Sequence, residues 1–231
     1  MIELKGQTLI FSDIHCGLSG NKVSRLNICI KVIKEILNNI DLYNIKNVIF
    51  AGDWYHNRST LDSNTINISL KLVEAIAKKC NFYMIVGNHD AYLKNSTDIN
   101  SLNMFKSMKN VFIIDKPEII ILNNQKTLLV PWLTNITEFE KNSFDIMIGH
   151  FEISSKYLMQ SYIEEHTQKQ KTDNNTLSKI FDNNQYKSND MVGSFVEAVK
   201  HNGYIFAGHI HKRKEFITKN RNFIFIGAPY H

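Results

Sequence analysis

Five short stretches of the chain carry side chains that bind metal: Asp13-Ile14-His15, Gly52-Asp53, Gly87-Asn88-His89-Asp90, Gly149-His150 and Gly208-His209-Ile210-His211. In extended chain, residues i and i+2 project to the same side, so Asp13 and His15 can converge on one ion. Each stretch also closes an apolar run: Thr8-Leu9-Ile10-Phe11, Asn47 to Ala51, Phe82 to Val86, Phe144 to Ile148, and Tyr204 to Ala207. The glycines let the backbone turn sharply as it leaves a strand and aim the next side chain into one crevice. A lone Gly-Asp or Gly-His dipeptide is ordinary turn chemistry. Five such endings on five separate runs point instead to a common site.

The candidate ligands are Asp13, His15, Asp53, Asn88, His150, His209 and His211, with His89 left over. This set mixes oxygen and imidazole and contains no thiolate, which suits Mn²⁺, Fe or Zn²⁺ better than Ca²⁺ or a structural zinc. Seven donors are too many for one ion and enough for two, provided one carboxylate bridges. Two metals ~3.5–4 Å apart are the usual device for in-line attack on a phosphoester, with a bridging hydroxide as nucleophile.

The elements that must hold these residues follow from periodicity. Leu26, Ile30, Ile33, Ile36, Leu37 and Ile40 recur at helical spacing between the first and second runs. Ile66, Leu70, Val73 and Ala77 do so between the second and third. Strand, helix and strand in this order predict right-handed crossovers and a parallel sheet. In such sheets ligands bind in the crevice beyond the carboxyl ends of the strands. A shorter third helix is expected to turn Leu102, Phe105 and Met108 inward. Val111 to Ile114, Glu118 to Leu122 and Thr127 to Val130 are expected to form a meander that begins a second sheet. Glu152 to Asp190 is polar, with sparse apolar positions, and reads as a weakly packed insertion, helical around Ser154 to Glu165. A helix is expected near Val192 to Val199. Glu215 to Thr218 and Asn222 to Ile226 read as a hairpin.

Length and composition bound the rest. The 231 residues fit one domain, 43% of them are hydrophobic, and the net charge is +5. That charge suits a polyanionic partner without requiring one. Three cysteines without a C-x-x-C pair give neither a disulfide framework nor a zinc ribbon. With no signal-like N-terminus and no apolar run of membrane-spanning length, a soluble, cytoplasmic protein is expected.

The five stretches resemble the motifs of the calcineurin-like metallophosphoesterases over nearly the whole chain. The resemblance implies a four-layer αββα sandwich with a di-metal centre at a sheet edge. It implies one metal on Asp13, His15, Asp53 and His211, and another on Asp53, Asn88, His150 and His209, with Asp53 bridging. His89 matches the histidine that contacts the scissile phosphate and protonates the leaving oxygen, and Asp90 is expected to hold His89 in orientation. Ala51-Gly52-Asp53-Trp54-Tyr55-His56-Asn57-Arg58, Leu129-Val130-Pro131-Trp132 and Gly227-Ala228-Pro229-Tyr230 are similar to the SbcD-type DNA-repair nucleases, including the phage recombination endonuclease small subunit. That branch implies manganese-dependent cleavage of DNA at ends and hairpins, an SbcC-type coiled-coil ATPase partner and a homodimer. It also implies a DNA-binding cap after the Ala-Pro-Tyr motif. Because this sequence reaches His231 there, the cap is expected to be absent or truncated, leaving 1–231 as the nuclease domain.

His56 and Arg58 are candidate substrate contacts, since a nucleic-acid backbone could pass the loop after Asp53. Lys212, Arg213 and Lys214 read as a surface charge run. His166, His201 and His231 match no motif, and Cys16 reads as a loop residue. The alternative function is a phosphatase or small-molecule phosphodiesterase. A scaffold without catalysis would have lost ligands, and none is lost.

Overall fold

The computed structural model of the chain describes residues 1–18, 23–135, 139, 143–151, 199–217 and 221–230. Strands β1 (Ile2–Leu4) and β2 (Thr8–Phe11) precede helix α1 (Val23–Leu42), strand β3 (Asn47–Phe50), helix α2 (Ser63–Ala77) and strand β4 (Asn81–Ile85). A 3-10 turn (Ser101–Phe105) leads to β5 (Val111–Ile114), β6 (Glu118–Leu122), β7 (Gln125–Val130) and β8 (Phe144–Gly149). The chain continues with β9 (Val199–Ala207), β10 (Lys214–Ile217) and β11 (Arg221–Phe225).

Two sheets result. The first has order β2-β3-β4-β5 and is parallel throughout. The second has order β1-β6-β7-β8-β9-β11-β10 and is mixed. The mixed α/β class expected from the sequence holds. Helix α1 buries Leu26, Cys29, Ile33, Ile36 and Ile40 against the first sheet, as its amphipathic spacing dictates. Helix α2 starts where the Asp62 carboxylate accepts the Thr65 N–H at 3.0 Å, a side-chain cap on an otherwise orphan donor.

The sheets face each other through Ile49, Tyr83, Ile85 and Ile114 of the first and Ile120, Leu129, Ile146 and Ile148 of the second. On β8 the alternation is interrupted by a register shift between Phe144 and Ile146. Phe144 and Met147 therefore share the outer face, while Ile146 and Ile148 point at the first sheet. The described residues form three layers, helices then two sheets. The expected polar insertion at 152–190, and with it any helix on the outer face of the second sheet, lies outside the described residues.

Three expectations need correction. Val111 to Ile114 does not start the second sheet but pairs parallel with β4 at the edge of the first. Of the three strands expected in the meander, β6 and β7 pair antiparallel. β9 runs as strand from Val199, the last residue of an expected helix whose other positions, 192–198, lie outside the described residues, and β1, which no pattern announced, pairs parallel with β6. The expected third helix is one 3-10 turn, although Leu102 and Phe105 are buried. The C-terminal hairpin forms as expected.

Candidate metal centre

Beyond β2 and β3 the chain does not diverge at once. Asp13 N–H donates to Gly52 O, His15 N–H to Asp53 O, and Cys16 N–H to Trp54 O, at 3.0, 3.1 and 2.7 Å. The two exit loops thus continue the ladder side by side, which brings Asp13, His15 and Asp53 together. Gly52 takes φ +91, and a Cβ there would run into the His150 imidazole. A Cβ on Gly87 would meet the Asp53 carboxylate. Close approach requires both glycines, and at Gly52 the left-handed turn does so as well.

Residues from the second sheet complete the cluster. His150 follows β8 and is fully buried, and its Nδ1 lies 2.8 Å from the Ala51 carbonyl. His209 and His211 follow β9, and the His209 N–H donates to the Asp13 carboxylate at 3.1 Å. Two groups emerge. In the first, here locus A, His15 Nε2 and His211 Nε2 lie 2.9 Å apart, with Asp13 and Asp53 oxygens 3.8 and 3.6 Å from His15. In the second, locus B, the Asn88 Oδ1 atom is 2.8 Å from His150 Nε2 and 3.0 Å from His209 Nδ1, with Asp53 Oδ2 3.4 Å from His150.

The donor chemistry fits two divalent ions. Burial holds the His15 ring neutral, with its pKa lowered to about 3. A neutral imidazole facing another ring nitrogen, with two carboxylates alongside, is a cluster of lone pairs converging on a cation. Burial also works against charge on His150, but the Asp53 carboxylate outweighs it and raises that pKa to about 9. At Asp53 burial is again opposed, here by His150 and His15, and the carboxyl stays well below its usual range. Two of the geometric groups able to hold a metal among the described residues are Asp13, His15 and His211, and Asp53, His150 and His209. All seven sequence candidates are brought together, and Asp53 touches both loci.

His89 and His56 sit over locus A. Their rings stack at 5.2 Å, and the His15 ring meets them edge-on at 5.0 and 5.5 Å. These three histidines form a third group of converging ring nitrogens. The His89 N–H donates to Asp53 Oδ1 at 2.8 Å, and its ring Nδ1 lies 2.5 Å from the His56 carbonyl. Asp90 corrects an expectation, because its carboxylate does not reach the His89 ring. It is fully buried and accepts the backbone N–H groups of Asp53, Trp54, Tyr55 and Gly87 at 2.8 to 3.1 Å. The physical reason is that those amides, pinned in a turn, offer fixed donors that a buried carboxylate needs. The carbonyl of His56 orients His89 instead. Arg58 lies half-buried farther along the loop, outside the three groups.

Other placements are plain. Cys16 lies in the loop after β2, as expected, and is buried in the core with Cys29. Lys212 and Arg213 are exposed, and Arg213 pairs with Glu215. His166 and His231 lie outside the described residues, and so does the His201 side chain. Pattern reading gave no role to the Trp132 ring, which stacks on His209 with centroids 5.3 Å apart. An aromatic directly after a strand end of the second sheet was the available signal. No described helix is long and apolar enough to cross a membrane.

The family model for calcineurin-like phosphoesterases matches residues 6–213. Among curated proteins, 244L of Invertebrate iridescent virus 6, named a phosphoesterase, is 29% identical over 104 residues, covering 44% of this chain and 35% of the relative. Another so named, 078R of Invertebrate iridescent virus 3, is 24% identical over 144 residues, covering 57% of this chain and 41% of the relative. The chain therefore spans well under half the length of these relatives. Among solved structures, the nuclease MPE of Pseudomonas putida aligns with 96% of this chain and 76% of its own, at 10% identity and TM-score 0.46. An archaeal phosphodiesterase aligns with 96% and 83%, at 13% identity and TM-score 0.44.

Proposed function

Because the chain belongs to the calcineurin-like phosphoesterase family, we propose that it is a metal-dependent nuclease of the SbcD type, hydrolysing phosphodiester bonds in DNA during repair, recombination or replication. The observation that carries the phosphoesterase step is the convergence of two loci on one shared carboxylate, Asp53. Two divalent ions bound there, of Mn²⁺, Fe or Zn²⁺ by the donor chemistry and Mn²⁺ by the motif likeness, would supply an activated water and neutralise charge on the phosphoryl oxygens.

The chain's own residues do the rest. Asp13, His15, Asp53 and His211 would hold one ion, and Asp53, Asn88, His150 and His209 the other. Asp90 fixes the turn that carries Asp53 by accepting its N–H and the two that follow. His89, its Nδ1 held at the His56 carbonyl, can give a proton from Nε2 to the leaving oxygen. The stacked His56 ring lies beside it as a phosphate contact. Support for a DNA substrate comes from the motif likeness together with exposed Lys212 and Arg213 directly after the metal ligand His211, where they can follow a phosphate backbone. An SbcC-type ATPase and a second copy of the chain are the partners this reading implies.

The test is cleavage of linear double-stranded and single-stranded DNA with Mn²⁺, run beside p-nitrophenyl phosphate. DNA cleavage that disappears in Asp53→Asn is expected. Efficient hydrolysis of the monoester with DNA left intact would replace the nuclease reading by a phosphatase one.

A further inference from the structure

After Asp90 the chain leaves the metal centre through a small hairpin, 91–100, that its own backbone ties down. The Ala91 N–H donates to Gly87 O at 3.2 Å, closing the turn that carries Asn88 and His89. Ala91 and Asn100 form an antiparallel bridge, and the Tyr92 N–H donates to Ile99 O at 2.9 Å. The base of the hairpin is pinned where the Ser101 N–H meets Asp90 O at 2.9 Å. Its far end is pinned where the Thr97 hydroxyl donates to Asp115 O at 2.8 Å.

This ordered segment shows its apolar side chains to water. Tyr92 is 53% exposed, Ile99 58% and Leu93 39%. Tyr92 and Ile99 are cross-strand neighbours, so their side chains lie together. Lys94 is exposed beside Leu93, whereas the Asp98 carboxylate is engaged by the Ser96 hydroxyl at 2.9 Å. Position decides what this surface meets. Tyr92 follows His89 by three residues, a span of at most about 11 Å, so a nucleotide flanking a phosphate at His89 comes within reach of the Tyr92 ring. Three side chains expose at most a few hundred Å². That falls short of the ~800 Å² per partner that a stable dimer buries, but it matches the face of one or two bases. Inside a duplex each base is already stacked on its neighbours, so an unpaired base is the one with a face to offer.

We propose that Tyr92 is a specificity-determining residue whose ring stacks on an unpaired base beside the scissile phosphate, with Ile99 and Leu93 bordering it. It thereby favours single strands and frayed or looped ends over the interior of a duplex. The inference rests on the nuclease reading and adds how the site tells unpaired from paired strands. Because the hairpin is ordered beforehand, stacking costs little further conformational freedom. Lys94 adds positive charge of the kind that attracts a phosphate backbone.

The experiment compares kcat and KM of the Mn²⁺-loaded protein on oligothymidylate and on a strand of the same length made wholly of abasic deoxyribose phosphates. Wild type is expected to prefer oligothymidylate, through KM. Tyr92→Ala is expected to raise KM for oligothymidylate ~5–100-fold, the effect of losing one base–aromatic stack, with kcat nearly unchanged. Tyr92→Phe keeps the ring and is expected to restore the wild-type KM. On the abasic strand neither substitution is expected to matter. The proposal is overturned if Tyr92→Ala leaves KM for oligothymidylate unchanged, or if it slows cleavage of both strands alike, as a structural lesion would. It is also overturned if ultracentrifugation shows Tyr92→Ala splitting a dimer, which would make the patch a seat for a second copy. Wild type that hydrolyses p-nitrophenyl phosphate and cleaves neither strand would instead bring down the nuclease reading beneath it.

Discussion

Four of the seven candidate ligands sit on left-handed backbone: Asp13 at φ 56, His15 at 46, Asp53 at 65 and His209 at 77. Such strain is held in place by fixed partners, and Asp90 is the clearest of them. Its Oδ2 accepts from Asp53 and Gly87, and its Oδ1 from Trp54 and Tyr55. In Asp90→Asn, whichever way the amide turns, two backbone N–H groups face an NH₂. A loss of about 2–4 kcal/mol is expected in urea unfolding of the metal-free protein, together with weaker metal binding by calorimetry. No sequence pattern discloses this role, because backbone donors leave no mark on residue identity; an acidic residue beside a histidine suggests a side-chain pair instead. His150 supplies a second expectation. With its pKa raised to about 9, the ring carries a proton at neutral pH when no metal is bound, and ligation must expel it. Mn²⁺ binding at pH 7 should therefore release a proton, visible as a heat that differs between buffers of different ionisation enthalpy, and affinity should rise with pH until about 9. The sign for folding is opposite. The raised pKa stabilises the metal-free fold fully below about 6.5 and is lost as pH passes about 9.

At the scale of elements, the strand ends were legible because an apolar run followed by glycine and a ligand is a local pattern. Which sheet a run joins was not. Val111-Phe112-Ile113-Ile114 carries no sign of its partner, and only the long-range pairing with β4 placed it at the edge of the first sheet. β1 escaped for a similar reason, being three residues with two of them exposed. The loops after β2 and β3 were readable as turns, yet not as a continued ladder. That continuation makes Gly52 sensitive, since it needs φ +91 and the His150 ring occupies the space of a Cβ. Gly52→Ala is expected to keep the secondary structure seen by circular dichroism while displacing His150, with loss of ~10-fold or more in metal affinity as the measured outcome.

Across the whole molecule, Asp13, His15, Asp53 and Asn88 leave strands of the first sheet, while His150, His209 and His211 leave strands of the second. Binding that favours the folded state adds stability by mass action, about 2.7 kcal/mol at a ligand concentration one hundred times Kd. For a chain of this length, chelation by EDTA should then lower Tm by about 5–10 °C, read by scanning calorimetry with and without Mn²⁺. The origin of the ligands in two sheets also has a mechanical meaning. The sheets also meet through apolar side chains such as Ile49, Ile85, Ile146 and Ile148, whose attraction is non-directional. Ions shared between the sheets would add short, stiff bonds across that seam, as rivets do between plates. Pulled in a single-molecule trap with the handles on β3 and β8, the metal-loaded protein would resist shear and then fail abruptly, while the metal-free protein would creep.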